Sequence, residues 1–150
     1  EPFRALEENR ELLESPPEED PVALLPFEDN LVAFREGPAF FVDPEHHHIP
    51  VPVWGRGKGN TLGDVRHGAL RPIVAESRLV GFWELDPDAE EVVTGIYADI
   101  ADDTRDRVAE EAAALGTFLV DELGHGRSFS IDTEKHLRAR CEHIRNLKGS

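Results

Sequence analysis

The chain has 150 residues, of which 39% are hydrophobic and 31% are charged, so it is long enough and apolar enough to fold around a core. It has no secretory signal and no apolar run near the roughly 18–20 residues that cross a bilayer, which excludes a transmembrane protein and predicts no membrane partner. The single cysteine, Cys141, excludes an internal disulfide and predicts a cytoplasmic location.

The formal net charge is −15, but the acids and bases are segregated along the chain. Residues 1–45 contain 13 acids and 3 bases, and residues 84–125 contain 13 acids and 2 bases. Residues 46–83 contain 2 acids and 5 bases, and residues 126–150 contain 3 acids and 6 bases. One interpretation is that acidic helices keep the protein soluble. The alternative is a cationic face that attracts a polyanion toward residues 54–78.

Residues 1–21 predict a short helix followed by a linker. A stripe of apolar side chains at helical spacing runs through residues 3–14, and Pro16 and Pro17 end it. The chain contains no Met and begins at Glu1, so we expect this segment to be the exit from a preceding domain.

The pattern then changes to short runs rich in β-branched and aromatic residues, which predict strands. The predicted strands are 31–34, 39–42, 51–54, 70–75, 79–85 and 91–97. The spacing between 70–75 and 79–85 favours an antiparallel hairpin. The run 79–85 is apolar on both faces at its centre, so Phe82 and Trp83 are predicted to be packed inside. This pattern favours a small antiparallel β-barrel or closed sheet over an open, half-exposed sheet.

Helical periodicity begins near Ala101, where Asp102 and Asp103 predict an N-cap, and ends at Gly124, a residue typical of a helix C-terminus. Its predicted buried stripe consists of Val108, Ala112, Leu115, Leu119 and Leu123. A second helix is predicted from Asp132 or Thr133 to about Leu147. Its inward residues are predicted to be Leu137, Cys141 and Ile144. The predicted fold class is therefore α+β: a small barrel in one domain, 22–150, flanked by an N-terminal helix and two C-terminal helices.

Residues 55–63 read GRGKGNTLG, a segment that combines glycines with two cations. Glycines let backbone N–H groups approach an anion closely, and Arg56 and Lys58 would stand beside it. A nucleotide-binding P-loop is excluded, because Gly59 follows Lys58 where that motif needs Ser or Thr. The segment is either a loop that contacts a sugar-phosphate backbone or an ordinary surface loop. Trp54 is either a base-stacking residue or a half-buried strand residue.

The triplet His46-His47-His48 does not predict a metal site. Only His46 and His48 could share an ion if the triplet were extended, and Glu45, His67 and His125 add no recognisable ligand spacing. Prolines bracket the triplet, which favours a solvated turn. Ser128 near His125 lacks the surroundings of a known nucleophile motif. The sequence therefore predicts no catalytic residues, no metal and no cofactor.

Three segments resemble the C-terminal part of winged-helix DNA-binding proteins related to AlkZ-type DNA glycosylases. They are LLPFEDNLVAFREGPAFFVDPEHH (24–47), LRPIVAESRLVGFWELDPDAEEVV (70–93) and RVAEEAAALGTFL (107–119). The motifs that match in order are Leu25-Pro26, Asp29-Asn30, Pro44-Glu45-His46 and Val80-Gly81-Phe82-Trp83. The resemblance covers about residues 22–123.

This resemblance implies a small β-barrel that follows tandem winged helices in proteins that grip duplex DNA and, in one branch, excise damaged bases. The family's catalytic glutamines lie upstream, and this chain contains no glutamine and no helix-turn-helix pattern. Glycosylase activity is therefore not expected within these residues, and whether the parent protein is an enzyme stays open.

The predicted function is that of an accessory DNA-binding domain that supports upstream winged helices and contacts phosphates of double-stranded DNA without reading sequence. The predicted contact residues are Trp54, Arg56, Lys58, Asn60, Arg66 and His67, with Arg78 as a further candidate. The alternative is an acidic protein-interaction or dimerisation domain without DNA contact, in which residues 1–14 pack on a partner or a second copy. A third interpretation is a small hydrolase that uses the histidine-rich turn.

Overall fold

The computed structural model describes residues 15, 21–27, 29–30, 37–53, 60–66 and 68–147. Within them, a four-stranded antiparallel sheet is followed by two helices, which confirms the α+β class. The sheet has the order β1-β4-β5-β6, and β2 and β3 form a separate antiparallel pair. The strands are β1 (Ala23–Leu24), β2 (Pro50–Val51), β3 (Asn60–Thr61), β4 (Arg71–Ala75), β5 (Arg78–Asp86) and β6 (Glu91–Ile96).

The β4–β5 hairpin is the predicted one, and it turns in two residues. Ala75 pairs with Arg78, so Glu76 and Ser77 alone make the turn, with φ of 51° and 56°. Positive φ at both central positions is the type I′ pattern, whose twist matches that of the flanking strands. The three predicted strands 70–75, 79–85 and 91–97 are confirmed to within one residue at each end.

The core lies between the sheet and two helices, α1 (Asp102–Thr117) and α2 (Glu134–Arg145). Every residue of β5 after Arg78 is buried, since α2 packs against β5 and β6. Phe82 and Trp83 are buried as predicted. None of the helices in the described part of the chain is long and apolar enough to cross a membrane.

The described strands form an open sheet rather than the predicted barrel. β1 and β6 are its two edges, and they are not hydrogen-bonded to each other within the described residues. Helix α1 contacts both edge strands. The apolar side of α1 thus covers the gap that a further strand pairing would have to close, and burial is achieved by helix packing instead.

The N-cap of helix α1 is Ala101, one residue before the predicted cap, so Asp102 and Asp103 lie in the first turn. It continues into one π-helical segment, Phe118–Leu123, and ends at Gly124 in the left-handed conformation, as predicted. The predicted stripe is confirmed for Val108, Ala112 and Leu119, which are buried, and for Leu115, which is partly buried against the core. Leu123 is exposed, because hydrogen bonds from i to i+5 widen the winding and rotate it off the stripe.

Helix α2 is confirmed. Its N-cap is Thr133, whose side chain forms a capping box with His136. The predicted inward residues Leu137, Cys141 and Ile144 are all buried. Close packing of α2 requires Gly95 on β6, since a Cβ there would lie 2.3 Å from the Ile144 carbonyl oxygen.

One strand prediction is wrong, and another is confirmed only in part. Residues 39–42 lie in and beside a 3₁₀ helix, Pro38–Phe41, because Pro38 sets a helical φ at its first position and Gly37 supplies a φ of 99° before it. The predicted strand 51–54 is reduced to β2, and Pro52, which has no N–H to donate, follows it directly. The predicted strand 31–34 and the helix of residues 3–14 lie outside the described residues.

Candidate functional site

The cationic glycine segment connects the two strands of a hairpin. Val51 pairs with Asn60, which anchors the far end of the connection. At the near end, Val53 forms an isolated bridge with Gly68, and the Ala69 N–H donates to the Pro52 carbonyl at 2.8 Å. These contacts hold the polypeptide on both sides of residues 54–59. Gly68 and Ala69 lie beside Pro52 and Val53, where this connection begins.

Only two of the six predicted DNA-contact residues are among those described. Asn60 is half-buried in β3, and Arg66 is exposed just after a turn in which the Val65 N–H donates to the Thr61 carbonyl at 2.9 Å. Both lie on the polypeptide that borders the connection. The other four, Trp54, Arg56, Lys58 and His67, lie outside the described residues.

Arg66 and Arg78, two arginines of residues 46–83, differ in whether their guanidinium groups form ion pairs within the fold. Arg66 is exposed, and no residue in the described part of the chain forms an ion pair with it. Arg78 instead donates to Asp43 and to Glu76, each at 2.6 Å, and these hydrogen bonds raise its pKa. Arg78 is therefore engaged in ion pairs within the fold, and its contact with phosphate stays a prediction.

A second feature is a buried cluster of four charged side chains, Arg71, Glu84, Asp132 and Arg140, which we call the ion cluster. The Glu84 carboxylate accepts hydrogen bonds from Arg71 and from Arg140. Arg140 also binds Asp132 in a bidentate pair, with distances of 2.8 and 3.1 Å. The cluster joins β4, β5, the segment before α2 and α2 itself.

The ion cluster balances its own charges. Burial raises the pKa of Glu84, while the adjacent Arg71 and Arg140 guanidinium groups oppose that rise. Arg71 is further held by the Gly126 carbonyl, by the Ser128 hydroxyl at 2.7 Å and by the face of the Trp83 ring. These contacts hold both guanidinium groups inside the fold, so the ion cluster holds α2 against the sheet and is not an open binding site.

An open, mostly apolar groove of about 320 Å³ lies beside the ion cluster. β1 and the segment after it form one wall, through Leu24 and Phe27, and the end of α1 and the π-helical segment form the other. Phe27 and Phe129 meet edge to face with ring centroids 6.1 Å apart. The groove is a surface against which an apolar group could pack.

The histidine triplet is not a solvated turn throughout. It overlaps a second 3₁₀ helix, Pro44–His46, and the His46 ring is buried against Tyr97. His47 is half-buried, and its Nε2 lies 3.1 Å from the Val42 carbonyl oxygen. Only His48 is exposed, as predicted for all three.

The other candidate chemical groups have structural roles. The Ser128 hydroxyl accepts from Arg71, and the His125 Nδ1 accepts from the Arg127 N–H at 3.1 Å, so these bonds do not join Ser128 to His125. Burial raises the pKa of the Cys141 thiol to about 12, which makes it a core residue rather than a nucleophile.

Sequence reasoning missed the ion cluster and the burial of His46. A signal for the first was present: Glu84 interrupts a strand that is otherwise apolar on both faces. A charge in such a strand is buried, and a buried charge needs partners. The partners lie 13 to 56 residues away in sequence and follow no local spacing.

Comparison with protein-family models, with curated proteins and with solved structures found no match. The resemblance to winged-helix DNA-binding proteins thus stays a prediction from the sequence.

Proposed function

We propose that the chain is an accessory domain that contacts double-stranded DNA through the hairpin connection between β2 and β3, without reading sequence. The observation that carries this proposal is the pairing of Val51 with Asn60 and of Val53 with Gly68. These pairings bring together the described residues that flank the two sets of predicted contact residues, 54–60 and 66–67. The two sets of predicted contact residues would then form one cationic surface.

The chemistry of this surface fits a phosphate backbone. Arg56, Lys58 and Arg66 supply cations, and glycines among them let the backbone approach closely. Within residues 46–83 the described acids are Asp64, whose carboxylate accepts from Thr61, and Glu76, which is bound to Arg78. Neither of these carboxylates is paired with Arg66.

The same charges limit the affinity. The net charge of −15 repels DNA, so we expect binding by this chain alone to be no tighter than about 10⁻⁴ M at physiological salt, the weak end of non-specific binding. Joined to upstream winged helices, the hairpin would act at high effective concentration, where such weak contacts suffice. The sheet, with its edges covered by α1, would buttress those helices in place of a closed barrel.

The experiment titrates a short fluorescent duplex with the chain and follows anisotropy at about 50 and about 200 mM salt, where counterion release changes affinity strongly. Arg56→Glu/Lys58→Glu and Arg66→Glu are compared with wild type. Each lost phosphate contact is expected to reduce the slope of log K against log salt by about 0.9. The affinity difference from wild type should shrink as salt rises.

Lys135→Glu is the matched control, because it makes the same charge change at an exposed position on α2. A phosphate role for the hairpin predicts that Lys135→Glu binds more like wild type than Arg66→Glu does. Equal losses for the two would mean that only net charge matters, and identical curves for all variants would contradict the proposal.

A protein-interaction or dimerisation domain is the second candidate, and one observation favours it. Several large apolar side chains near the groove are exposed, among them Leu123, Phe129 and Ile131. Such side chains are depleted on surfaces that face only water. Light scattering on the same samples decides whether this surface pairs two copies: a dimer combined with unchanged DNA curves would favour this candidate over the first.

A further inference from the structure

A second site lies at the 3₁₀ helix Pro44–His46, near the β4–β5 turn, where Arg78 binds Asp43. One carboxylate oxygen each from Asp43 and Glu45 and one ring nitrogen of His46 lie within 4.8 Å of one another. Asp43 is the N-cap of the helix, three residues before His46. Because a 3₁₀ helix has three residues per turn, the side chains of Asp43 and His46 are aligned on one side.

The buried state of His46 is the independent observation that points to a ligand. Its residue surface is 8% exposed, and its Nδ1 has no hydrogen-bond partner among the described residues. Its Nε2 faces the Glu45 carboxylate at 3.7 Å, which is too long for a hydrogen bond. A buried ring nitrogen without a hydrogen bond costs about 1–3 kcal/mol, so the fold holds His46 in place against a penalty on Nδ1 while Nε2 faces the Glu45 carboxylate.

The surroundings orient the ligands and favour a cation. Arg78 binds Oδ2 of Asp43 and is itself held by Glu76, so the Asp43 carboxylate has a fixed direction and its other oxygen is left for a ligand. Such outer contacts are the usual way in which proteins position metal ligands. Asp99 adds a further carboxylate to the pocket beside the cluster, so the acids here outnumber Arg78 and Arg105.

That pocket is open and has a volume of about 500 Å³. It is lined by Glu45 and His46 from the cluster and by Tyr97 and Arg105. An ion held by three protein ligands at one wall would therefore have free coordination positions directed toward solvent and toward any small molecule in the pocket.

From this geometry we propose that Asp43, Glu45 and His46 form a binding site for a divalent transition metal ion, with Zn²⁺ as the best fit. One imidazole nitrogen and two carboxylate oxygens suit Zn²⁺ better than Mg²⁺ or Ca²⁺, which take oxygen ligands. Ligand atoms on one tetrahedral zinc lie roughly 3.3 Å apart, given metal–ligand distances of about 2.0 Å. The exposed Glu45 side chain can make the small movement that this requires.

The test measures Zn²⁺ binding to the metal-free chain by competition with a chromogenic chelator. Wild type is expected to bind one Zn²⁺ per chain, and to melt at a higher temperature with Zn²⁺ than with a chelator, since the ion binds the folded state. Glu45→Gln and His46→Gln are each expected to weaken binding by about tenfold or more. Mg²⁺ in excess is not expected to displace Zn²⁺.

His48→Gln is the matched control, because His48 is exposed and adjacent but not in the cluster. It is expected to bind Zn²⁺ as wild type does. Glu45→Gln keeps the assay decisive even where His46→Gln fails to fold, since Glu45 is exposed. Absence of binding by wild type, unchanged binding by Glu45→Gln, or an equal loss in His48→Gln would each overturn the site.

Discussion

At the scale of single residues, Glu84 is the side chain on which the packing of sheet against helix depends. It is fully buried, and it lies between two arginines that belong to a neighbouring strand and to α2. Buried ion pairs add little net stability when complete, because desolvation offsets the attraction. Losing one member is different, since it leaves the opposite charges buried and uncompensated.

We therefore expect Glu84→Gln to lower the free energy of unfolding by about 3–5 kcal/mol, since Arg71 and Arg140 would face a neutral amide in the interior. Urea unfolding followed by circular dichroism measures the change. The control is Glu110→Gln, at an exposed position of α1, which should stay within about 0.5 kcal/mol of wild type. Equal stabilities for the two variants would mean that water reaches Glu84 and that the ion cluster does not hold α2 against the sheet.

At the scale of elements, helix α1 contacts both edges of the sheet and covers the gap between them. Val108, near the middle of the helix, is 1% exposed, and its neighbour Ala109 is exposed. The two positions thus report separately on the covered and the solvent-facing sides of the same helix.

We expect Val108→Asp to unfold the domain at room temperature or to shift its denaturation midpoint strongly, because it places an unpaired charge in the core. Ala109→Asp makes a closely similar change on the exposed side and should leave the midpoint almost unchanged. Chemical denaturation of both variants is the measurement. A Val108→Asp midpoint close to that of Ala109→Asp would show that α1 is a free-standing arm and does not cover the sheet.

Elements with a local cause could be predicted from the sequence. The strands 70–75, 79–85 and 91–97 and both C-terminal helices follow from alternation, helical spacing and Gly124, all of which act within a few residues. The 3₁₀ helix at Pro38–Phe41 could not be distinguished from a strand, because four residues are too few to reveal a period.

Features with a non-local cause could not be predicted. Whether the sheet closes depends on where α1 packs, and spacing along the chain does not encode that position. The same holds for His46, whose burial depends on Tyr97, a residue 51 positions later that contacts its ring edge to face. Of the candidate DNA surface, the sequence predicted the residue types. The pairing of β2 with β3 adds only how the described residues on either side of 54–59 are held.

At the scale of the whole molecule, proton binding changes both the net charge and the folding stability. The sequence pI is about 4.8, so acidification from neutral pH reduces the negative charge and the repulsion between acidic segments. His143 on α2 opposes this trend, because burial lowers its pKa. In the pH range between that lowered value and its ordinary value of about 6.5, the unfolded chain binds more protons at this residue than the folded chain does. The contribution of His143 to folding stability is therefore lost as the pH falls below about 6.5.

Replacing His143 with Gln removes this group and isolates its contribution. We expect the loss of unfolding free energy between about pH 7.5 and about pH 5.5 to be smaller, or the gain larger, in His143→Gln than in wild type. Urea denaturation at the two pH values, with a chelator present to keep metal binding out of the comparison, gives the double difference. His125→Gln, at an exposed histidine, should follow the wild-type pH dependence. If His143→Gln followed it as well, the folded protein would accept the proton on His143 without cost, and burial could not be what sets the protonation of this ring.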